Sequence, residues 1–196
     1  MKPRSLFPLL ALLAIAQTSV ADPYHQLLTY DWAQSRRPLA AIERQIREAK
    51  GPEDLRAIEQ KLITVLSNPK ATYAGKQFAC RMLRRCGSEA CVPALARFLT
   101  DPKLSHMARF ALQGNPSPQA GQALRAALSK VPDKLKLGML SSLAARREAA
   151  AVPDIAALLT SENSEVVAAA LNALGTDPRH GPARAGACTG REGHPT

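Results

Sequence analysis

The sequence predicts an all-α fold: an α-α superhelix of about four stacked helix pairs behind a cleaved signal peptide. Three observations predict it. Of 196 residues, 35 are Ala and 26 are Leu, while aromatics make up only 4%. That composition favours helices and is poor in the β-branched and aromatic residues that strands use. The hydrophobic fraction is 46%, too high for global disorder. Finally, two series of apolar anchors recur along the chain. Leu66, Leu99, Leu128 and Leu159 follow at intervals of 33, 29 and 31 residues, and Leu83, Leu112, Leu143 and Leu174 at 29, 31 and 31. Ala79, Ala108, Met139 and Ala170 precede the second series by four residues each, which places each pair on one helical face.

Residues 1–21 read as a signal peptide. Lys2 and Arg4 supply the positive start, Leu6 to Ala16 an apolar run interrupted by Pro8, and Ser19-Val20-Ala21 the small residues before a cut at Asp22. The apolar run is about half the roughly 20 residues a membrane span needs. No cysteine follows it for lipid attachment. The mature chain is therefore expected to be periplasmic or secreted, without a membrane span. Losing Lys2 and Arg4 takes the formal charge from +10 to +8.

Residues 22–52 read as N-terminal capping helices. A short helix covers Tyr24 to Trp32, and a second covers 39–50 with Leu39, Ile42, Ile46 and Ala49 on one face. Tyr24, Tyr30 and Trp32 are expected to cover the open end of the stack. Residues 53–175 form the repeats, with helices over 53–67 and 70–86, 89–100 and 104–113, 118–130 and 133–145, 149–160 and 164–175. Pro93 and Pro153 fall in first turns, where a missing N–H costs nothing. Ser88, Asp101, Ser117, Asp133 and Ser164 mark helix starts, and Gly87, Gly114 and Gly175 mark left-handed ends. Residues 176–196 hold four Gly, three Pro and no Leu, Ile, Val, Met or aromatic, and read as a disordered or non-native tail. The last helix is then expected to expose the surroundings of Val166, Ala170 and Leu174. The tail is either the truncated or frameshifted end of a longer gene or a basic extension carrying Arg179, Arg184 and Arg191.

The segments CVPALARFL (91–99), AVPDIAALL (151–159), LSHMARFAL (104–112) and AAALNALG (168–175) carry a family resemblance. The run from Tyr73 to Gly175 resembles the short HEAT-type repeats of exported bacterial proteins, also called phycobilisome-lyase-like HEAT repeats. Residues 39–72 resemble them loosely. The resemblance implies a HEAT-type helical-hairpin solenoid acting as a non-enzymatic scaffold for protein or anionic-ligand binding. The family name also implies a chromophore accessory factor of the phycobilin-lyase kind, a role that export disfavours. A further alternative is a fragment of a larger exported multidomain protein.

No phosphate-binding loop, dinucleotide fingerprint, H-E-x-x-H or G-x-S-x-G motif occurs, so no catalytic residue, cofactor or metal is expected. His25, His106, His180 and His194 are scattered. His106 is the one inside the repeats and is expected at the surface or in an inter-repeat hydrogen bond. Cys80, Cys86, Cys91 and Cys188 lack the spacing of zinc ligands. In an oxidising compartment Cys86–Cys91, across the Gly87 turn, is the favoured disulfide. The alternative is free thiols, with Cys80 a small core residue.

What remains is charge. The second helices carry Lys76, Arg81, Arg84 and Arg85, then His106 and Arg109, then Lys134 and Lys136 with Arg146 and Arg147. Stacked together they would bind an anionic partner, an acidic protein or an anionic glycan, with nucleic acid less favoured outside the cytoplasm. The competing reading is that these long side chains only solvate helix faces.

Overall fold

The computed structural model describes residues 22–175. The leader (1–21), the tail (176–196) and Cys188 lie outside the described residues. These form ten α-helices with no strand among them: α1 (Pro23–Thr29), α2 (Arg37–Glu48), α3 (Pro52–Ser67), α4 (Tyr73–Cys86), α5 (Val92–Ala96), α6 (Ser105–Gly114), α7 (Pro118–Leu128), α8 (Asp133–Arg146), α9 (Val152–Ala156) and α10 (Ser164–Gly175).

The anchors explain the packing. α3 pairs with α4, α5 with α6, α7 with α8 and α9 with α10. The second members α4, α6, α8 and α10 also pack in series, as do the first members α3, α5 and α7. The core lies between these two rows. Leu66, Leu99 and Leu128 fill it from one row, Leu83, Leu112 and Leu143 from the other, and Ala79, Ala108, Met139 and Ala170 are fully buried. Small Ala at three of these four positions lets neighbouring helices approach closely.

The expected helices over 89–100 and 149–160 are instead broken. Each begins with a 3-10 turn, Glu89–Cys91 or Ala149–Ala151, followed by the five-residue α5 or α9. Pro93 and Pro153 are the reason. They have no N–H to bond the carbonyls of Glu89 and Ala149, so Val92 and Val152 take those carbonyls in tighter bonds.

Thr72, Ser88 and Ser117 cap their helices through side-chain oxygens. Asp133 and Ser164 do not: each is the first residue of its helix, and Asn163 Oδ1 accepts from Glu165 N at 3.0 Å to cap α10. The glycines do not supply left-handed ends. Gly114 and Gly175 are the last residues of their helices, and Gly87 leaves α4 with φ −75°. Gly87 is needed for close approach, because a Cβ there would lie 2.7 Å from Cys91 Sγ. The left-handed end belongs to Arg147, φ 54°, after α8.

The two ends of the stack differ. At the start, Tyr24, Leu27 and Tyr30 are buried against α2, α3 and α4. Tyr24 Oη donates to Gln45 Oε1 at 2.7 Å, and Thr72 Oγ1 donates to Tyr30 O at 2.6 Å. Trp32 does not join this cover; it is 61% exposed. At the far end Val166 and Ala170 are fully buried against α8 and the preceding turn, and Leu174 is half-buried. The exposed side chains there are Val152, Leu159 and Leu171. Leu159 thus closes its anchor series at the surface, where Leu66, Leu99 and Leu128 each have a following helix.

Candidate functional site

The ten basic positions expected to form one stripe divide into two groups. Arg84, Arg109 and Arg146 are spent inside the fold. Arg84 reaches from α4 to the end of α6, where Nη1 donates to Phe110 O at 2.8 Å and the guanidinium lies 4.1 Å from the Phe110 ring centre. Arg109 reaches from α6 to α8, donating to Ser142 Oγ at 2.7 Å and meeting His106 Nδ1 at 3.0 Å. Burial lowers its pKa from the ordinary arginine value. Ser142, fully buried, donates in turn to Gln113 Oε1 at 2.9 Å. Arg146 reaches back from α8 to the same end of α6. Its Nη1 donates to Leu112 O at 2.8 Å and to Asn115 O, and its Nη2 to Ser117 O at 2.9 Å. Two guanidinium groups therefore meet at the C-terminal end of α6, where the helix dipole favours a cation; Leu112 O and Ser117 O also accept from Asn115 N and Ala120 N.

Gly114 and Gly138 make room for these bridges. A Cβ at Gly114 would lie 2.6 Å from Arg84 Nη1, and one at Gly138 would lie 2.7 Å from Arg109 Nε.

Arg81 and Arg85 behave differently. Both are exposed on one face of α4, four residues apart, and neither makes a hydrogen bond or ion pair among the described residues. Arg81 rests 5.6 Å from the Phe78 ring centre and Lys76 5.7 Å from that of Phe98. His106 and Arg147 are exposed, the latter at the left-handed end of α8. Lys136 is committed to Asp133 at 2.8 Å, while Lys134 stands exposed.

Arg81 also borders a cleft of about 220 Å³ between the α1–α2 loop and α4. Trp32, Arg36, Gln77 and Arg81 line it above a floor that includes Leu39 and Phe78. The indole is held edge-on to Tyr73, with ring centres 5.7 Å apart and planes at 63°. Tyr73 Oη donates to Lys103 O at 3.2 Å, and Trp32 N donates to Asp31 Oδ1 at 2.7 Å. Sequence reasoning missed Trp32, Arg36 and Gln77 as site residues. One signal was available: Trp32 sits in the polar run Asp31–Arg37, and the positions three and four residues after it are Ser35 and Arg36, so no apolar face continues beyond it.

A buried polar cluster holds the turn after α4. Glu59 is 2% exposed and accepts from Ser88 N at 2.7 Å and from Ser88 Oγ at 2.9 Å. Asn115 Nδ2 donates to Ser88 O at 2.7 Å. Cys80, Cys86 and Cys91 are free thiols, so the expected Cys86–Cys91 bond is not formed in the structure. Instead Cys86 Sγ donates to Met82 O at 3.3 Å and Cys91 Sγ to Ser88 O at 3.1 Å. Burial first, and the Glu59 carboxylate second, push Cys86 up to about 11 and Cys91 to about 12. Burial alone takes Cys80 to about 12. Thiols held this way carry almost no thiolate at neutral pH and are poor nucleophiles.

Among the described residues no group of three or more His, Cys, Asp or Glu is placed to hold a metal ion. None of the described helices is long and apolar enough to cross a membrane. No protein-family model matches the chain, and no curated protein matches it.

Proposed function

We propose that this chain is an exported, non-enzymatic HEAT-type scaffold, a short α-solenoid whose exposed cations bind an anionic protein or glycan. The serial packing of α4, α6, α8 and α10 and the recurrence of arginine bridges between them support the solenoid reading. The observation that carries the binding reading is the division among the arginines. Arg84, Arg109 and Arg146 are consumed by the fold, whereas Arg81 and Arg85 stay exposed on one helix beside a cleft. An exposed guanidinium pair that makes no ion pair among the described residues is free to donate to a carboxylate or phosphate.

The test compares two variants of equal net charge. Arg81→Glu/Arg85→Glu is expected to lose at least tenfold in affinity for immobilised polyglutamate and oligogalacturonate. Arg44→Glu/Arg47→Glu, on exposed α2 positions, is expected to keep most of it. Equal losses in the two variants contradict the reading. Export is tested by fractionating a host that expresses the full chain; mature protein beginning at Asp22 in the envelope fraction is expected, and unprocessed protein in the cytoplasm contradicts it.

A second reading is that the stack is one part of a larger exported protein. The exposed Val152, Leu159 and Leu171 favour it, because a following helix pair would cover them as α10 covers α8. Finding no further repeat in any frame of the adjoining DNA contradicts it.

A further inference from the structure

We infer that the Trp32 cleft is a binding site for one acidic sugar unit, a pyranose ring bearing a carboxylate. This deepens the anion-binding reading above and rests on it. The volume sets the scale. At about 220 Å³ the cleft falls below the roughly 300–1,000 Å³ of sites for drug-sized ligands, and it suits a single ring.

The lining sets the chemistry. Leu39 and Phe78 in the floor are 3% and 1% exposed, so they offer almost no apolar area to an incoming side chain. The open apolar surface is the face of the Trp32 indole, 61% exposed and steadied by Tyr73. A sugar ring presents a flat C–H face of that size, and aromatic faces attract such weakly positive edges. Arg36 and Arg81 enter the same cleft from the residue preceding α2 and from α4, two cations for one carboxylate. The Gln77 amide adds a donor and an acceptor for ring hydroxyls. An acidic peptide would use the two arginines but leave the indole without a matching flat face, so the lining favours the sugar.

Trp32 is the sole tryptophan of the chain, so its fluorescence reports this cleft directly. The probes are tetragalacturonate, neutral maltotetraose and polyglutamate, titrated into the mature chain. Tetragalacturonate is expected to shift Trp32 emission to the blue with saturation, and maltotetraose to leave it unchanged. Arg36→Glu and Arg81→Glu are each expected to weaken the galacturonate response at least tenfold, with unchanged far-UV circular dichroism. Trp32→Ala, followed by calorimetry, is expected to lose similar affinity. No Trp32 response to tetragalacturonate, or an equal response to maltotetraose, overturns the sugar site. If polyglutamate binds through Arg81 and Arg85 while tetragalacturonate does not, the scaffold reading stands and the sugar site falls. If neither anion binds, both fall.

Discussion

Replacing Arg146 by Ala removes the bridge that closes the end of α6. The guanidinium donates to four carbonyls, those of Leu112, Asn115 and Ser117 and, more weakly at 3.5 Å, Gln113, and its side chain is only 10% exposed. Hydrogen bonds from a charged donor contribute about 1.5–3 kcal/mol each, and contributions within one network are not additive. Breaking a buried charged network costs about 3–5 kcal/mol, and here Leu112 O and Ser117 O keep backbone partners and no buried charge is left behind, which places the loss in the lower part of that range. Glu148, 3.8 Å from Arg146 Nε and 21% exposed, also loses this ion pair. The expected destabilisation of Arg146→Ala is therefore about 3–4 kcal/mol, or a fall in Tm of about 10 °C for a chain of this length. Arg146→Lys keeps the charge but not the planar fork, and should recover about half. Arg85→Ala, exposed and unbonded, should stay within about 0.5 kcal/mol of the parent. Urea unfolding followed by circular dichroism measures all three. A loss below about 1 kcal/mol for Arg146→Ala, or full recovery by Lys, refutes the reasoning.

Gly138→Ala sets two effects against each other. Ala gains about 1 kcal/mol of helix propensity, but its Cβ displaces Arg109 from Ser142, a charged hydrogen bond of about 1.5–3 kcal/mol, so a net destabilisation of about 1 kcal/mol is expected in the same assay. Asp133 is held below its ordinary value of 3.8 by Lys136 at 2.8 Å and then by Asn163 at 3.0 Å. A depressed folded pKa stabilises above the unfolded value and is lost as pH falls through the folded one. The Tm difference between the parent and Asp133→Asn should hold steady down to about pH 5 and shrink below about pH 4; a difference growing in acid contradicts this. With Cys86 raised to about 11, its thiolate fraction at pH 8 is about 0.1%, against about a quarter for an ordinary thiol. Native alkylation of Cys86 and Cys91 should then be at least about 100-fold slower than in denaturant. Glu59→Gln should speed both while leaving Cys80 unchanged, as followed by peptide mapping. Failure of Cys86 and Cys91 to react in denaturant until reduced would show them bonded instead.

The rows of helices were legible because burial acts on side-chain type. A Leu at 83, 112 or 143 has nowhere to go but the core, and its spacing reports the repeat. The partner Ala at 79 and 108 reports close helix approach in the same way. The short α5 and α9 were legible only in part: Pro93 and Pro153 mark a helix start, but the 3-10 turn that precedes each depends on which carbonyl the missing N–H would have served. The arginines were not legible at all as two groups. Arg84, which closes a neighbouring helix, and Arg85, which faces solvent, are adjacent in sequence and identical in composition. What separates them is a carbonyl of Phe110, 26 residues away. Trp32 misled for a related reason. An aromatic near a chain end suggests cover, yet the polar run around it places it in a loop, where Tyr73 holds it at the surface.

The division of the arginines is tested most directly by the nitrogen–proton spectrum of their side chains, recorded with and without tetragalacturonate. Arg84, Arg109 and Arg146 should show slowly exchanging Nε or Nη protons whose positions stay fixed on titration. Arg81 should exchange fast when free and shift as the anion binds, with Arg36 shifting alongside it. Titration shifts at Arg84, Arg109 and Arg146 with Arg81 unmoved would contradict the account.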